Sequence, residues 1–225
     1  MPDGRYTDRT VIVCGAAGAL GAGVADAFAA EGASVIGVDK AEPAADRRLD
    51  GVAYEVADAG DDASLADLFG RLPVPWAVVN TVGGFAPHTR LTELDAGVLT
   101  AQLELNLVTA ALVTKHALAR MAPRLQGRIV HTASRAAVAA RGSGFAYSVS
   151  KLGVIHLVTM AADEFRGTGI TVNCVVPSII DTPANRAAMP AADHESWPKV
   201  DEIARAYLFL ASPGAHLTSG AAIPV

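Results

Sequence analysis

The chain has 225 residues, of which 51% are apolar, 18% are charged and 5% are aromatic. At about 150 residues per domain we expect one domain over 1–225, and this composition excludes intrinsic disorder. A net charge of −5 argues against binding to nucleic acid, which needs a clustered basic face. The polar start and the lack of a long uninterrupted apolar run predict a protein without a membrane span. Two cysteines are too few for a disulfide framework, so we expect a cytoplasmic protein. The six histidines are scattered along the chain, which makes a metal site unexpected.

Short β-branched runs alternate with Ala-rich helical stretches, a pattern typical of βαβ units on a parallel sheet. The predicted strands cover 10–14, 34–38, 52–56, 76–80, 128–132, 171–176 and 222–225. The predicted helices cover 19–31, 61–71, 92–121, 145–166 and 200–211. The strands are nearly all apolar, which indicates that helices cover both faces of the sheet. The irregular stretch 177–198 contains four prolines, and we expect it to be a lid or substrate loop.

A glycine-rich turn joins the first predicted strand to the first predicted helix through Gly15, Gly18 and Gly21. Such a turn lets backbone N–H groups approach a pyrophosphate, whose negative charge is favoured at a helix N-terminus. Asp39 ends the second predicted strand, where a carboxylate binds the ribose hydroxyls and repels a 2′-phosphate. The sequence therefore predicts a dinucleotide site that prefers NAD(H), while the adjacent Lys40 leaves NADP(H) open.

Tyr147 and Lys151 are four residues apart and so share one face of a predicted helix. The pKa of a free tyrosine, about 10, is too high for efficient proton exchange near neutral pH. A neighbouring ammonium and an oxidised nicotinamide would lower that pKa by stabilising the phenolate. Tyr147 would then exchange a proton with a carbonyl or alcohol oxygen, and Ser134, after the fifth predicted strand, would bind the same oxygen.

Taken in order, these residues resemble the short-chain dehydrogenase/reductase family from end to end. The matching positions are the turn 15–21, Asp39, Asp58, Asn80, Gly83, Asn106, Ser134, Tyr147, Lys151, Pro177 and Thr182. The resemblance implies a single α/β domain of the Rossmann fold, with a doubly wound, seven-stranded parallel sheet and helices on both faces. It also implies an oxidoreductase that transfers a hydride between NAD(H) and a carbonyl or secondary alcohol.

The resemblance also assigns roles to single residues. Ser134 would bind the substrate oxygen, Tyr147 would be the general acid/base, and Lys151 would hold the nicotinamide ribose and tune Tyr147. Asn106 would hold a water that links Lys151 to solvent. Cofactor contacts, shared with Tyr147 and Lys151, are implied for Gly15, Gly18, Ala19, Leu20, Gly21, Asp39, Asp58, Asn80, Gly83, Pro177, Ile180 and Thr182.

Departures from the family pattern concern the turn and the subunit contacts. Cys14 replaces the usual Thr, Ala19 the usual middle Gly, and Thr81 the usual Asn. The glycine-rich tail that family members carry beyond the last strand is absent, which leaves the subunit contact made there open. We expect a homotetramer or dimer through helices 92–121 and 145–166, with exposed apolar faces made by Leu107, Leu112, Val154 and Val158.

The segment 181–197 resembles part of dihydropteridine reductase, an NADH-using member of the same superfamily. An indole stacks on flat conjugated rings, so Trp197 and Met189 would lie near such a substrate; alternatively, both side chains pack the loop onto the core. The competing functions are therefore a quinonoid pteridine reductase and, from another class, a non-catalytic NAD-binding protein. Ser134 favours carbonyl chemistry, because the reduction of a quinonoid substrate needs no polarised carbonyl.

Four further side chains are candidates for the substrate pocket from their position along the chain. Phe85 and Phe145 are expected to wall an apolar pocket, and Arg135 follows Ser134 directly. Arg141 is expected either to meet an acidic substrate or to lie in solvent.

Overall fold

Seven parallel strands form one sheet in the order β3-β2-β1-β4-β5-β6-β7. The computed structural model describes residues 4–85, 90–139 and 144–225. The strands are Thr10–Cys14 (β1), Ser34–Asp39 (β2), Val52–Val56 (β3), Ala77–Asn80 (β4), Gln126–Thr132 (β5), Gly169–Val176 (β6) and Ala222–Pro224 (β7). Each neighbouring pair is parallel, so the predicted doubly wound Rossmann sheet is confirmed.

The helices are Ala19–Ala30 (α1), Asp62–Arg71 (α2), Ala96–Leu103 (α3), Thr109–Met121 (α4), Arg135–Val138 (α5), Phe145–Glu164 (α6), Pro183–Ala188 (α7) and Val200–Leu210 (α8). The predicted helix 92–121 begins later, because the Asp95 side chain caps α3 by accepting from the N–H groups of Gly97 and Val98. A π-helical segment, Glu104–Val108, joins α3 to α4. The short helices α5 and α7 lie in segments for which no helix was predicted.

Helices cover both faces of the sheet. Successive strand residues point to opposite faces, so neighbouring residues of one strand belong to two different clusters. On one face, Ile12 packs in a buried cluster with Leu65 of α2 and Val113 of α4. On the other face, Val13 packs in a second cluster with Phe28 of α1. The sheet is therefore buried between two helical layers, which explains why its strands are almost wholly apolar.

The apolar faces of the long helices differ from those expected for a subunit contact. Val154 and Val158 are fully buried, and Leu107 and Leu112 pack partly against the core, so the prediction that these four side chains are exposed was wrong. The helical period turns them towards the sheet and leaves other apolar side chains exposed, namely Val108, Leu152 and Met160.

Two helical stretches, Ala96–Arg124 and Phe145–Glu164, are long and apolar enough to cross a membrane by length and composition alone. Both also contribute buried residues to the core, such as Ala117 and Ala161. Helices packed on a sheet pass the same test, so the criterion does not distinguish them from membrane spans.

Candidate active site

A cleft of about 250 Å³ lies at the carboxyl ends of β1, β2 and β4. The strand order reverses direction between β1 and β4, and ligands of open α/β sheets bind at such a switch point. The lining residues are Cys14, Gly15, Gly18, Val38, Asp39, Lys40, Ala57, Ala59, Thr81, Val82, Gly83 and Leu105. The predicted cofactor residues Gly15, Gly18, Gly83 and Asp39 therefore all line this cleft.

The glycine turn can form only because Gly15 and Gly21 lack a Cβ. Gly15 has φ +86°, and a Cβ there would lie 2.6 Å from Thr81 Oγ1. A Cβ at Gly21 would lie 2.0 Å from the Gly15 carbonyl oxygen. Gly18 is the N-cap of α1 and offers no capping side chain, so the N–H groups of the first turn, which contains Ala19 and Leu20, suit an anion. The turn fits a dinucleotide pyrophosphate.

Thr81 departs from the family pattern, and the sequence did not indicate that its side chain has a structural role. Its Oγ1 donates to the Cys14 carbonyl at 2.9 Å, which ties the end of β4 to the glycine turn. A polar residue directly after an apolar strand was the available signal.

Asp39 lies at the end of β2 with its carboxylate held by backbone groups. Its Oδ2 accepts from the Ala17 N–H at 2.9 Å, and its Oδ1 accepts from the Lys40 N–H at 2.8 Å. The Lys40 ammonium instead pairs with Asp58 at 3.1 Å. The pKa of Asp58 is lowered, chiefly by the Gly60 N–H and further by Lys40. The cation next to Asp39 is therefore engaged by a different carboxylate.

Ser134 and Tyr147 come together from β5 and α6. Ser134 follows β5 and caps α5, with its Oγ accepting from the Ala136 N–H at 3.2 Å, and its hydroxyl is near enough to Tyr147 to act on the pKa of the phenol. The Phe85 ring meets Tyr147 edge-on, with centroids 5.1 Å apart. Burial raises the pKa of Tyr147, and the neighbouring Ser134 hydroxyl only partly opposes this. The protein's own groups thus keep the phenol protonated near neutral pH; the lowered pKa expected from the sequence includes the charge of an oxidised nicotinamide.

Lys151 is 4% exposed, and its Nζ donates to the Thr132 carbonyl at 2.9 Å. Burial lowers the pKa of Lys151 to about 8, an effect that Cys174 weakly opposes. Gly83 lies directly above the ammonium, since a Cβ at that position would be 2.8 Å from Lys151 Nζ. The partner of the ammonium is a backbone oxygen, which no residue type in the sequence could have indicated.

Asn106 lies in the π-helical segment and is 1% exposed. Its Oδ1 accepts from the Gly84 N–H, and its Nδ2 donates to the Gly84 carbonyl, both at 3.0 Å. Nδ2 also lies 3.1 Å from Ser150 Oγ and 3.2 Å from Gln102 Oε1. Asn106 therefore fastens the turn after β4 to α6 and α3, and single-turn π segments are frequent at functional sites.

The remaining predicted cofactor residues are not among those that line the cleft, but each has a defined contact. Asn80 is buried at the end of β4, where its Oδ1 accepts from the Val82 N–H at 3.1 Å. The Pro177 carbonyl accepts from the Arg135 N–H at 3.0 Å. Ile180 packs against the core, and Thr182 caps α7 by accepting from the Asn185 N–H at 3.2 Å.

The residues predicted for the substrate pocket are spread over several elements of the fold. Trp197 is 8% exposed and lies 4.6 Å from the His194 ring, while the Met189 carbonyl accepts from His194 Nε2 at 2.8 Å; both contacts fit the loop-packing alternative. Phe145 begins α6 two residues before Tyr147, so the helical period turns it to another side of the helix. Arg135 is exposed on α5.

Arg141 lies outside the described residues. Within residues 4–85, 90–139 and 144–225, no group of three His, Cys, Asp or Glu side chains is arranged to hold a metal ion.

The chain is similar to known proteins over nearly its whole length. A family model described as enoyl-(acyl carrier protein) reductase matches residues 15–225. The chain is 32% identical to the cis-4-hydroxycyclohexanecarboxylate dehydrogenase of Sinomonas cyclohexanicum, over 98% of this chain and 96% of that one. It is also 32% identical to the D-threitol dehydrogenase of Mycolicibacterium smegmatis, over 97% and 92% of the two chains. A solved short chain dehydrogenase/reductase family protein superposes with a TM-score of 0.89 at 28% identity, covering 98% of this chain and 97% of that one.

The fold and these relatives define an oxidoreductase that acts on alcohol or carbonyl groups. More specifically, the chain belongs to the short-chain dehydrogenase/reductase family, which in general uses NAD(P)(H).

Proposed function

We propose that the protein transfers a hydride between NAD(H) and a carbonyl or secondary alcohol, with Tyr147 as the general acid/base. A bound nicotinamide supplies or accepts the hydride. In reduction, Tyr147 donates its phenolic proton to the substrate oxygen, and Ser134 hydrogen-bonds to the same oxygen. The observation that carries this proposal is the proximity of the Ser134 hydroxyl to Tyr147, with Lys151 one turn further along α6, an arrangement that suits both hydroxyls to one substrate oxygen.

The raised pKa of Tyr147 favours one direction at neutral pH. A protonated phenol is ready to donate to a carbonyl, whereas alcohol oxidation needs the phenolate. Lys151, with a pKa of about 8, keeps its ammonium at pH 7. We therefore infer that carbonyl reduction is the faster direction near neutral pH and that oxidation speeds up in base.

The preference for NAD(H) over NADP(H) rests on Asp39 and Lys40. The Asp39 carboxylate is fixed by two backbone N–H groups in the cleft, where it suits ribose hydroxyls and repels a phosphate. The nearest cation, Lys40, is drawn to Asp58 and so does not neutralise Asp39. We further propose a cytoplasmic homotetramer or dimer, supported by the exposed apolar side chains Leu152 and Met160 on α6.

A coenzyme and substrate panel tests the function. Ketones and secondary alcohols, including cyclohexane derivatives and polyols of the kinds named for the relatives, are offered with each of NADH, NADPH and their oxidised forms. Nicotinamide absorbance is followed against a control without substrate. We expect turnover with NADH and at least one ketone. Tight NADH binding without turnover across the panel would instead identify a non-catalytic NAD-binding protein.

The pteridine reductase alternative is separated by Ser134→Ala. Reduction of a ketone should suffer, because the substrate oxygen loses a hydrogen-bond partner, whereas reduction of a quinonoid dihydropterin should not. The burial of Trp197 supports the ketone, since an indole packed into the loop is not free to stack on a pterin. Equal activity of the variant and the parent protein on ketones would favour the pterin.

A further inference from the structure

His131 is a fully buried polar side chain in the apolar strand β5, and the proposed reaction gives it no role. It pairs in register with Asn80 on β4. Its Nδ1 lies 3.4 Å from Asn80 Nδ2, and its Nε2 lies 2.8 Å from Thr114 Oγ1 on α4. The imidazole therefore connects a core helix to the strand end that borders the cleft.

The proton positions in this group follow from counting donors. The Val82 N–H donates to Asn80 Oδ1 at 3.1 Å, which directs the Asn80 Nδ2 donor at His131 Nδ1. The Thr114 hydroxyl, which donates to the Ala110 carbonyl at 2.7 Å, has a lone pair that accepts from His131 Nε2–H. His131 Nδ1 is then unprotonated and accepts from Asn80 Nδ2. Burial, with a smaller effect of Lys151, lowers the pKa of His131 to about 3, which agrees with a neutral ring. The hydrogen bonds thus select one tautomer.

This tautomer matches the orientation of the Asn80 amide. With Nδ2 directed at His131, Asn80 Oδ1 accepts from the Val82 N–H at 3.1 Å. A ring proton on Nδ1 would require the amide to flip and would leave the Val82 N–H without this acceptor. The neutral imidazole is therefore the element that fixes the start of the turn after β4.

That turn lies directly on the catalytic lysine. A Cβ at Gly83 would be 2.8 Å from Lys151 Nζ and 2.6 Å from Asn106 Oδ1. The Asn106 amide accepts from the Gly84 N–H and donates to the Gly84 carbonyl. A shift of a few tenths of an ångström at Val82 would change the space above the ammonium.

We propose that His131 is a positioning residue: its neutral imidazole fixes the Asn80 amide and, through it, the Val82–Gly84 turn that lies on Lys151 and Asn106. The inference rests on the proposed function insofar as Lys151 serves the reaction. The hydrogen-bond arrangement itself can be tested without coenzyme or substrate.

Two substitutions each keep one of the two hydrogen bonds of the imidazole and remove the other. Nδ1 is two bonds from Cβ, as is the amide oxygen of asparagine, whereas Nε2 is three bonds away, as is the amide nitrogen of glutamine. His131→Asn therefore keeps an acceptor for Asn80 and loses Thr114. His131→Gln keeps a donor for Thr114 and loses the acceptor for Asn80. Each variant loses one buried hydrogen bond, so a purely structural role predicts the same effect for both.

We expect the two variants to be destabilised to a similar extent but to differ in the site. Because a buried group is left unpaired at the turn, His131→Gln should weaken NADH binding and lower kcat/KM about tenfold. His131→Asn should stay within about threefold of the parent protein. As a control, Trp76→Phe removes a hydrogen bond to the Ala211 carbonyl just before the opposite end of β4 and should lower stability only. Equal kinetic losses in the two His131 variants would overturn the proposal.

Measurements on the protein without ligands keep the proposal falsifiable even where a variant does not fold or no substrate is found. Nitrogen NMR of the parent protein should show one exchange-protected histidine ring with its proton on Nε2 and no titration between pH 5 and 9 (a range that spans the usual histidine pKa, about 6.5). A proton on Nδ1, or titration in that range, refutes the arrangement. Hydrogen exchange at the Val82 amide should accelerate in His131→Gln and not in His131→Asn.

Discussion

Replacing Lys151 with methionine should stabilise the fold near neutral pH while it removes catalysis. The Lys151 side chain is 4% exposed, and burial lowers its pKa from 10.5 to about 8. The folded protein therefore binds this proton less tightly than the unfolded chain does. Methionine has a similar apolar stem and carries no charge, so it removes the cost of burying the ammonium.

The size and the pH dependence of the effect follow from the same pKa. A difference of about 2.5 pH units corresponds to about 3 kcal/mol at 1.36 kcal/mol per unit. Below pH 8 both the folded and unfolded states carry the proton, so the full cost is present. Between about pH 8 and 10.5 only the unfolded chain is protonated, so the stability of the parent protein rises with pH and the cost disappears. Loss of the hydrogen bond to the Thr132 carbonyl costs about 1 kcal/mol, which leaves a net gain of about 2 kcal/mol at pH 7.

Denaturant unfolding at pH 7 and again near pH 10 measures this difference directly. We expect Lys151→Met to be the more stable protein at pH 7 and to lose that advantage at the higher pH. Coenzyme-dependent turnover, measured on the same samples, should be abolished. A variant that is less stable than the parent protein at both pH values would show that the buried ammonium stabilises the fold, which refutes the reasoning.

Three further outcomes are expected. Gly83→Ala places a Cβ 2.8 Å from Lys151 Nζ and should weaken NADH binding about tenfold in a fluorescence titration; unchanged affinity would mean that the turn can yield. Asp39→Asn removes the carboxylate that would face a bound ribose, so the ratio of NADPH to NADH affinity should rise about tenfold or more, and a constant ratio would count against the NAD(H) preference. For ketone reduction, kcat/KM should be constant below pH 8 and fall above it, because Lys151 loses its proton above pH 8. Tyr147, whose pKa is raised, keeps its phenolic proton there. A profile that rises above pH 8 would contradict the roles given to Lys151 and Tyr147.

The sequence was sufficient for the sheet and for the residues at its carboxyl ends, because apolar strands, glycine spacing and the Tyr147–Lys151 interval are local patterns. It did not reveal the π-helical segment at Asn106, since one extra residue in a helical turn leaves the apolar period almost unchanged. The inward direction of Val154 and the raised pKa of Tyr147 also escaped prediction, because both depend on which elements pack together. His131 was visible only as an isolated polar residue in an apolar strand.

The account depends most on Tyr147 as the proton donor, and Tyr147→Phe tests it most directly because only the hydroxyl is removed. NADH affinity and ketone turnover are measured side by side on the variant and the parent protein. We expect NADH affinity to change less than threefold and kcat to fall by a factor of about 10² to 10⁴, the usual contribution of general acid catalysis. Turnover equal to that of the parent protein, at matched NADH saturation, would contradict the account.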